Sequence, residues 1–242
     1  MIDDVTNAVM RRQGRRAPFA GAARALTAAL AVPLVACSPG SSSSSPAPSP
    51  LLNPDPKALV APAPETFRVA FETSKGRFVV EAHRAWAPRG VDRFHYLVRN
   101  GYYDGVRFFR VLDGFMAQFG FHNDPKVTSV WNELRIPDDP VTQTNRRGLM
   151  TFATGGPNTR TTQLFVNYGD NAQLDGMGFA PFGEVVEGMA VVDSLYAGYG
   201  EGAPQGQGPD QFRIATEGER YLTREFPKLD YVKTARIEAG AK

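Results

Sequence analysis

The chain has 242 residues, 42% of them hydrophobic and 21% charged, which suffices for one or two globular domains. Its formal net charge is +2, but residues 1–36 hold five arginines against two aspartates, so the remainder carries a net charge of −1. A near-neutral body lacks the basic stripe that an electrostatic nucleic-acid binder needs. We therefore expect no nucleic-acid partner.

The cysteine and histidine content argues against a metal site. The single cysteine, Cys37, excludes an intramolecular disulfide, a CxxC redox pair and a multi-thiolate zinc site. The three histidines, His83, His95 and His122, are scattered without a metal-ligand spacing such as HExxH. We predict neither a metal nor a cofactor.

Residues 1–36 have the pattern of a signal peptide. Four arginines at positions 11–16 precede an alanine-rich apolar run, and small residues follow. The uninterrupted apolar part, Ala25–Ala36, is too short to span a bilayer comfortably. Residues Leu34–Cys37 resemble the bacterial lipobox, whose cysteine becomes the lipidated first residue of the mature protein. We predict an exported lipoprotein of the cell envelope, anchored through Cys37; ordinary cleaved secretion and an uncleaved anchor are the alternatives.

Residues 37–65 are predicted to form a disordered tether. Of the 27 residues from Ser38 to Pro64, eight are proline and seven are serine. Such a segment buries too little apolar surface to offset its ordering entropy. Extended, it would reach up to ~80 Å.

The globular part, residues 66–242, begins with a predicted hairpin. Apolar and polar residues alternate over Phe67–Glu72 and, less cleanly, over Arg77–Ala82, with a turn at Ser74–Gly76 between them. A helical pattern then begins at Pro88 and ends before a glycine at position 101.

Short apolar runs predict the remaining strands. They are Val106–Leu112, Phe115–Phe119, Leu149–Ala153, Leu164–Val166, Phe182–Val186 and a closing strand over Leu229–Ile237. A second helix is predicted over Gly188–Ala197. Many short strands with two helices, and no βαβ alternation, favour a mainly β fold: a closed eight-stranded antiparallel β-barrel capped by two α-helices.

The segment Gly198–Phe226 is glycine-rich at its start and lacks a phosphate-binding GKS or GKT sequence. We interpret it as a flexible loop. Four apolar residues of its second half are expected to pack it onto the barrel: Ile214, Tyr221, Leu222 and Phe226.

Five short motifs carry the functional signal. They are Phe108–Gln118, Met150–Thr159, Thr162–Phe165, Leu174–Gly176 and Phe182–Gly183. Their order and spacing resemble those of the cyclophilin family of peptidyl-prolyl cis-trans isomerases, from about residue 67 to residue 237. The resemblance implies an eight-stranded antiparallel barrel with two helices, and isomerisation of X–Pro bonds in polypeptides without a cofactor.

The resemblance also implies roles for individual residues. Arg110 matches the catalytic arginine, and Gln118 is the second catalytic candidate, because it could orient Arg110 or hold the carbonyl that swings. The side chains that match the pocket for the proline ring are Phe115, Met116, Phe165 and Leu174. The positions that match contacts to the peptide backbone are Gln118, Gln163, Ala153 and Thr154, the last of which is usually Asn in the family.

The chain departs from the family at several pocket positions. Gln173 stands where many eukaryotic members have tryptophan, which is expected to weaken cyclosporin-type ligands. The pocket histidine is lost, and either Gly178 or Phe179 takes its place. The run Gln118–Phe121 replaces the family's Gln-Gly-Gly-Asp, which leaves the neighbouring loop without a prediction.

Two other classes compete with an exported isomerase. The first is a proline-peptide binding module or chaperone-like scaffold with little turnover; retention of Arg110 and Gln118 favours the enzyme. The second, a purely structural envelope lipoprotein, does not explain the pocket pattern. A monomer is expected, and the other arginines near the motifs are interpreted as solvated charges: Arg107, Arg146, Arg147 and Arg160.

Overall fold

The structure is a computed structural model that describes residues 49–239. The predicted signal peptide (residues 1–36), Cys37 and the first part of the predicted tether lie outside the described residues. Within residues 49–239, no helix is both long enough and apolar enough to cross a membrane.

The described part of the chain contains eight strands, which form one antiparallel sheet. They are β1 (Thr66–Thr73), β2 (Gly76–His83), β3 (Phe108–Leu112), β4 (Met116–Phe119), β5 (Leu149–Phe152), β6 (Leu164–Asn167), β7 (Pro181–Glu187) and β8 (Val232–Ile237). Their order across the sheet is β3-β4-β6-β5-β7-β2-β1-β8. Each predicted apolar run therefore overlaps one strand.

The β1–β2 hairpin confirms the prediction from alternation. Phe67, Val69 and Phe71 alternate inward along β1, and the rings of Phe71 and Phe78 stack across the two strands with centroids 4.8 Å apart. Gly76 closes the turn with a φ of 130°, which a residue with a Cβ rarely adopts. These side chains form one wall of the main core.

The prediction of a closed barrel is wrong, because β3 and β8 are the open edges of a half-barrel. A single bridge joins Arg107 to Tyr231 just before the two strands, and the Phe108 amide donates to the Asp230 carbonyl at 2.9 Å. Continuing that antiparallel register would require residues 226–229 to be extended. They form a turn instead, so the ladder stops after the bridge.

Between residues 49 and 239, six α-helices accompany the sheet, rather than the two predicted. They are α1 (Pro56–Leu59), α2 (Pro88–Arg99), α3 (Pro125–Glu133), α4 (Met189–Asp193), α5 (Gln211–Glu217) and α6 (Glu219–Glu225). Helix α2 begins at the predicted proline and buries Val91, Phe94 and Val98 against the sheet. The second predicted helix is α4, which is shorter than expected: it ends at Asp193, and Ser194 is its C-cap.

The second half of the predicted tether is packed against the domain. Leu51 is buried, and its carbonyl accepts a 2.9 Å hydrogen bond from Nε1 of the fully buried Trp131. The Ala63 amide donates to Asp92 on α2 at 2.8 Å. Disorder is therefore wrong as a description of residues 49–65: the apolar residues among the prolines find partners on α2 and α3.

The segment Gly198–Phe226 is folded, not flexible. Its residues Ile214, Tyr221, Leu222 and Phe226 are buried in a second hydrophobic cluster, as the sequence predicts. The barrel contributes two rings to the same cluster, Phe109 and Phe121, whose centroids are 5.1 Å apart. Phe121, one of the departures from the family's usual run, thus packs against this segment.

All four arginines interpreted as solvated charges form ion pairs, and two of them, Arg107 and Arg160, are also largely shielded from solvent. Arg160 is buried and pairs with the buried Asp139 at 3.1 Å. Asp139 also accepts from the Gly90 amide at 2.9 Å, which ties this pair to the first turn of α2. Arg107 forms a fork with Glu219, with both Nε and Nη2 donating. Both arginines hold loops to the barrel.

Candidate active site

Strand register places the predicted catalytic residues side by side. Arg110 on β3 lies opposite Gln118 on β4, and Gln118 lies opposite Phe165 on β6. Side chains at paired positions on neighbouring strands share one face of the sheet. The three residues therefore form a row across the outer strands, although 55 positions separate the first from the last.

An apolar niche lies beside this row. Met116, Phe165 and Leu174 form a separate buried cluster, to which partly buried Phe115, Ala153, Phe179 and Leu112 contribute. Leu174 comes from a 3-10 helix over Ala172–Met177, and the other two core members come from β4 and β6. All four predicted proline-pocket residues are thus brought together in one cluster.

The guanidinium of Arg110 borders the niche. Its Nη1 donates to Oε1 of Gln118 at 3.1 Å and lies 3.8 Å from the sulphur of Met116. The Phe115 ring lies below the charge, with 5.9 Å between its centroid and Cζ of Arg110. One nitrogen of a permanent cation is therefore held at the edge of an apolar surface.

Gln118 connects Arg110 to a second glutamine. Its side chain is only 6% exposed, and its Nε2 donates to Oε1 of Gln163 at 2.9 Å. Because its Oε1 accepts from Arg110, both ends of the amide are engaged. The orienting role that the sequence suggests for Gln118 therefore has a geometric basis.

The predicted peptide-binding edge lies just beyond β5. The Ala153 amide donates to the Gln163 carbonyl at 2.9 Å, which ties this edge to β6. The Thr154 hydroxyl turns back into its own loop, where it accepts from the Gly156 amide and meets the Thr159 hydroxyl at 2.9 Å. The Thr154 side chain is therefore engaged within its own loop, and the main chain of Thr154 is the part that can contact a peptide.

The structure resolves one alternative that the sequence leaves open. Of the two residues considered for the missing histidine, Phe179 contributes to the niche, and its ring meets Phe165 edge-on with centroids 5.8 Å apart. Gln173, at the tryptophan position, is exposed and takes no part in the buried cluster. Phe179 therefore adds an apolar ring to the niche, whereas Gln173 adds no wall to it.

Sequence reasoning missed one charged neighbour of Arg110. Glu201, in the folded segment after α4, accepts from Nε and Nη2 of Arg110, with both distances 2.6 Å. This contact lowers the pKa of the Glu201 carboxyl below its usual range. The pair is 91 positions apart. No spacing rule connects the two residues, and only the acidic residue within a glycine-rich stretch could have drawn attention to it.

Within the part of the chain that the structure describes, no three His, Cys, Asp or Glu side chains cluster as metal ligands. What the site brings together is a fixed cation, two amide side chains and an apolar niche.

Comparisons with known proteins show the family to which the chain is similar. The family model for cyclophilin type peptidyl-prolyl cis-trans isomerase/CLD matches residues 68–216. Peptidyl-prolyl cis-trans isomerase cyp18 of Streptomyces antibioticus is 37% identical over 135 residues, which cover 52% of this chain and 81% of that relative. Peptidyl-prolyl cis-trans isomerase-like 1 of Rhizopus delemar is 37% identical over 138 residues, which cover 54% of this chain and 81% of that relative.

Solved structures show the same fold. A cyclophilin type peptidyl-prolyl cis-trans isomerase of Cryptosporidium parvum superimposes with a TM-score of 0.53 at 21% identity, covering 72% of this chain and 99% of that one. The same protein was also solved in the presence of the dipeptide Ala-Pro, with a TM-score of 0.52. The family match spans more than half of the chain, and the chain therefore belongs to the cyclophilin-type peptidyl-prolyl cis-trans isomerase family.

Proposed function

We propose that this chain isomerises X–Pro bonds of exported polypeptides and that Arg110 is its catalytic residue. The observation that carries the assignment is the placement of Nη1 of Arg110 at the edge of the niche, 3.1 Å from Gln118 and 3.8 Å from Met116. A cation held beside an apolar niche for a proline ring is what the reaction needs, for the following reason.

The barrier to rotation about a peptide bond is ~18–20 kcal/mol and arises from amide resonance. At the twisted transition state the nitrogen lone pair is localised, so the nitrogen becomes a better hydrogen-bond acceptor than in either planar form. A donor that is already aimed at this nitrogen stabilises the transition state more than the ground state, which is what lowers the barrier. No nucleophile or proton transfer takes part.

The neighbouring groups divide the remaining tasks. The niche of Met116, Phe165 and Leu174 holds the proline ring and excludes water, which strengthens the interaction with the Arg110 cation. Gln118 orients Arg110, and the partly exposed Gln163 presents its amide group to the peptide main chain. The Ala-Pro dipeptide used with the Cryptosporidium parvum relative is the smallest X–Pro unit of this kind of substrate.

The location and the chain's organisation belong to the same proposal. Residues 1–36 direct export, Cys37 carries the lipid that holds the protein at the membrane, and the catalytic domain is monomeric. The support is the lipobox-like sequence ending at the single cysteine of the chain. Uncatalysed X–Pro isomerisation takes tens of seconds and can limit folding, so an isomerase at the envelope would accelerate folding of newly exported chains.

Replacing Arg110 tests the catalytic assignment. We expect Arg110→Ala to lower isomerisation of a short X–Pro peptide at least tenfold, equivalent to about 1.4 kcal/mol of transition-state stabilisation, as measured by NMR exchange spectroscopy. Arg146→Ala is the matched control, since it removes an exposed arginine outside the site. Activity of Arg110→Ala within threefold of the parent would refute the assignment. Peptide binding without turnover in the parent would favour the binding-module alternative.

Anchoring is tested separately. Mass spectrometry of the full chain expressed in a bacterial host should find a diacylglyceryl group on Cys37, and Cys37→Ser should release the protein from the membrane fraction. An unmodified Cys37 in a membrane-associated protein would refute the lipid anchor and leave the isomerase assignment unaffected.

A further inference from the structure

The glycine-rich stretch after α4 is folded tightly around Glu201. The Glu201 carbonyl accepts from the Gly208 amide at 2.7 Å, and its own Oε1 accepts from the Gly202 amide at 2.9 Å. A Cβ at Gly206 would lie 2.3 Å from the Glu201 carbonyl oxygen and 2.8 Å from the Glu201 Cβ. The glycines are therefore needed for close backbone approach, and the result is a fixed position for the glutamate.

Helices α5 and α6 hold this stretch against the barrel. The Asp210 amide, just past the glycine-rich turn, donates to the Tyr221 hydroxyl at 3.0 Å. Tyr221 and Ile214 lie in the buried cluster that includes Phe109, the residue next to Arg110 on β3. Packing of this segment thus determines where the Glu201 carboxylate meets the strand that carries Arg110.

Glu201 binds one side of the Arg110 guanidinium and leaves the other to the niche. Its two oxygens accept from Nε and Nη2 at 2.6 Å each, in the bidentate fork that arginine forms best with a carboxylate. Nη1 remains on the side of Gln118 and Met116. Glu201 binds Nε and Nη2, whereas Gln118 and Met116 share Nη1, so contacts on all three nitrogens orient the guanidinium together.

The other contacts of Arg110 would hold it less firmly. Gln118 offers one neutral acceptor, and the cation–π contact with Phe115 is long at 5.9 Å. An arginine side chain loses rotamer entropy when it is fixed, and a charged bidentate pair holds it far better than one neutral hydrogen bond. Without Glu201 the cation would sample positions away from the niche.

We infer that Glu201 is a positioning residue of the isomerase, which directs Nη1 of Arg110 at the proline nitrogen by binding Nε and Nη2. The inference rests on the proposed catalytic role of Arg110. The segment Gly198–Phe226 thereby contributes to catalysis, because it supplies the carboxylate that binds Nε and Nη2 of Arg110. If Glu201 instead competed with the substrate for the Arg110 cation, loss of its charge would raise kcat rather than lower it.

The test replaces Glu201 by glutamine in the full chain. Glu201→Gln keeps the size of the side chain but loses the charge and one acceptor. We expect kcat for a saturating X–Pro peptide, measured by NMR line-shape analysis, to fall five- to tenfold while KM stays within twofold, because the substrate is bound as before and only transition-state stabilisation is lost. The Nε–Hε resonance of Arg110 should also move and broaden.

Glu219→Gln is the matched control. It weakens the equivalent fork between Arg107 and Glu219 in the same segment, which does not touch the niche. We expect this variant to lower the melting temperature as much as Glu201→Gln or more, with kcat within twofold of the parent. An equal loss of kcat in both variants would show a structural effect and overturn the positioning role.

A double variant shows whether Glu201 acts through Arg110. In the Arg110→Ala background, adding Glu201→Gln should change activity by less than twofold. A higher kcat in Glu201→Gln than in the parent, or an unchanged kcat, would overturn the inference while Arg110 keeps its role. An unaffected Arg110→Ala would overturn the proposed catalytic residue itself, so the two failures are distinguishable.

Gly206→Ala provides an independent variant that alters neither charged group. The added Cβ must displace Glu201, so kcat should fall in the same direction with the Arg110 side chain intact. If this variant folds and retains full kcat, the fixed position of Glu201 is not required.

Discussion

Removal of a single buried side chain from α5 should destabilise the whole domain. Ile214 is 1% exposed and lies in the cluster between the segment Gly198–Phe226 and the barrel rings Phe109 and Phe121. Ile214→Ala removes three carbon atoms, worth ~0.8 kcal/mol each in transfer free energy, and leaves a cavity. The free energy of unfolding should fall by about 3 kcal/mol, and the melting temperature of a domain this size by roughly 6–12 °C.

Scanning calorimetry measures this effect, and the same helix supplies its control. Phe212 is 71% exposed on α5, so Phe212→Ala should change the free energy of unfolding by less than about 0.5 kcal/mol. If Ile214→Ala melted within 2 °C of the parent, or no lower than Phe212→Ala, the segment would contribute no core. The description of the segment Gly198–Phe226 as packed against the sheet would then be wrong.

Three further predictions concern other contacts. Trp131→Phe leaves a buried carbonyl of segment 49–65 without its donor, which should cost about 1–3 kcal/mol in thermal unfolding and hasten proteolysis within that segment. Phe179→Ala removes an edge-on ring from the niche and should raise KM roughly 2–10-fold in peptide titrations. Because Arg110 lowers the pKa of Glu201, the pair persists at neutral pH and is lost as pH falls through that lowered value. Turnover should be flat from pH 7 down to about 4.5 and decline below it, with circular dichroism confirming the fold; a decline near pH 6 contradicts this reasoning.

Local patterns predicted the elements whose signal is local. Alternation identified the β1–β2 hairpin, and Pro88 marked the start of α2. Helix α3 was missed although Asp124 caps it by accepting from the Lys126 amide at 2.8 Å, a cap that the residues Asp124 and Pro125 themselves indicate. The buried side chains of the insertion were identified correctly, but its secondary structure was not.

The candidate site divides in the same way. The resemblance of the motifs implies the roles of Arg110, Gln118 and the niche residues, and the strand register brings these residues side by side. Glu201 could not be found, since its contact depends on how α5 and α6 pack and on glycine backbone geometry 91 positions away from Arg110. The prediction of a closed barrel was wrong for a similar reason: the turn at residues 226–229 follows directly on the segment Gly198–Phe226, which no strand pattern describes.

Because residues 49–65 pack against α2 and α3, the stretch of chain that could extend between Cys37 and the domain is shorter than predicted. Only eleven residues separate Cys37 from Ser49, so their stretched length is at most about 40 Å, half of what the whole proline-rich stretch would allow. A domain of this size has a radius of gyration of ~16 Å. If a lipid on Cys37 anchors the chain, the isomerase domain stays within about one domain diameter of the bilayer. It would then act on polypeptides close to the membrane surface.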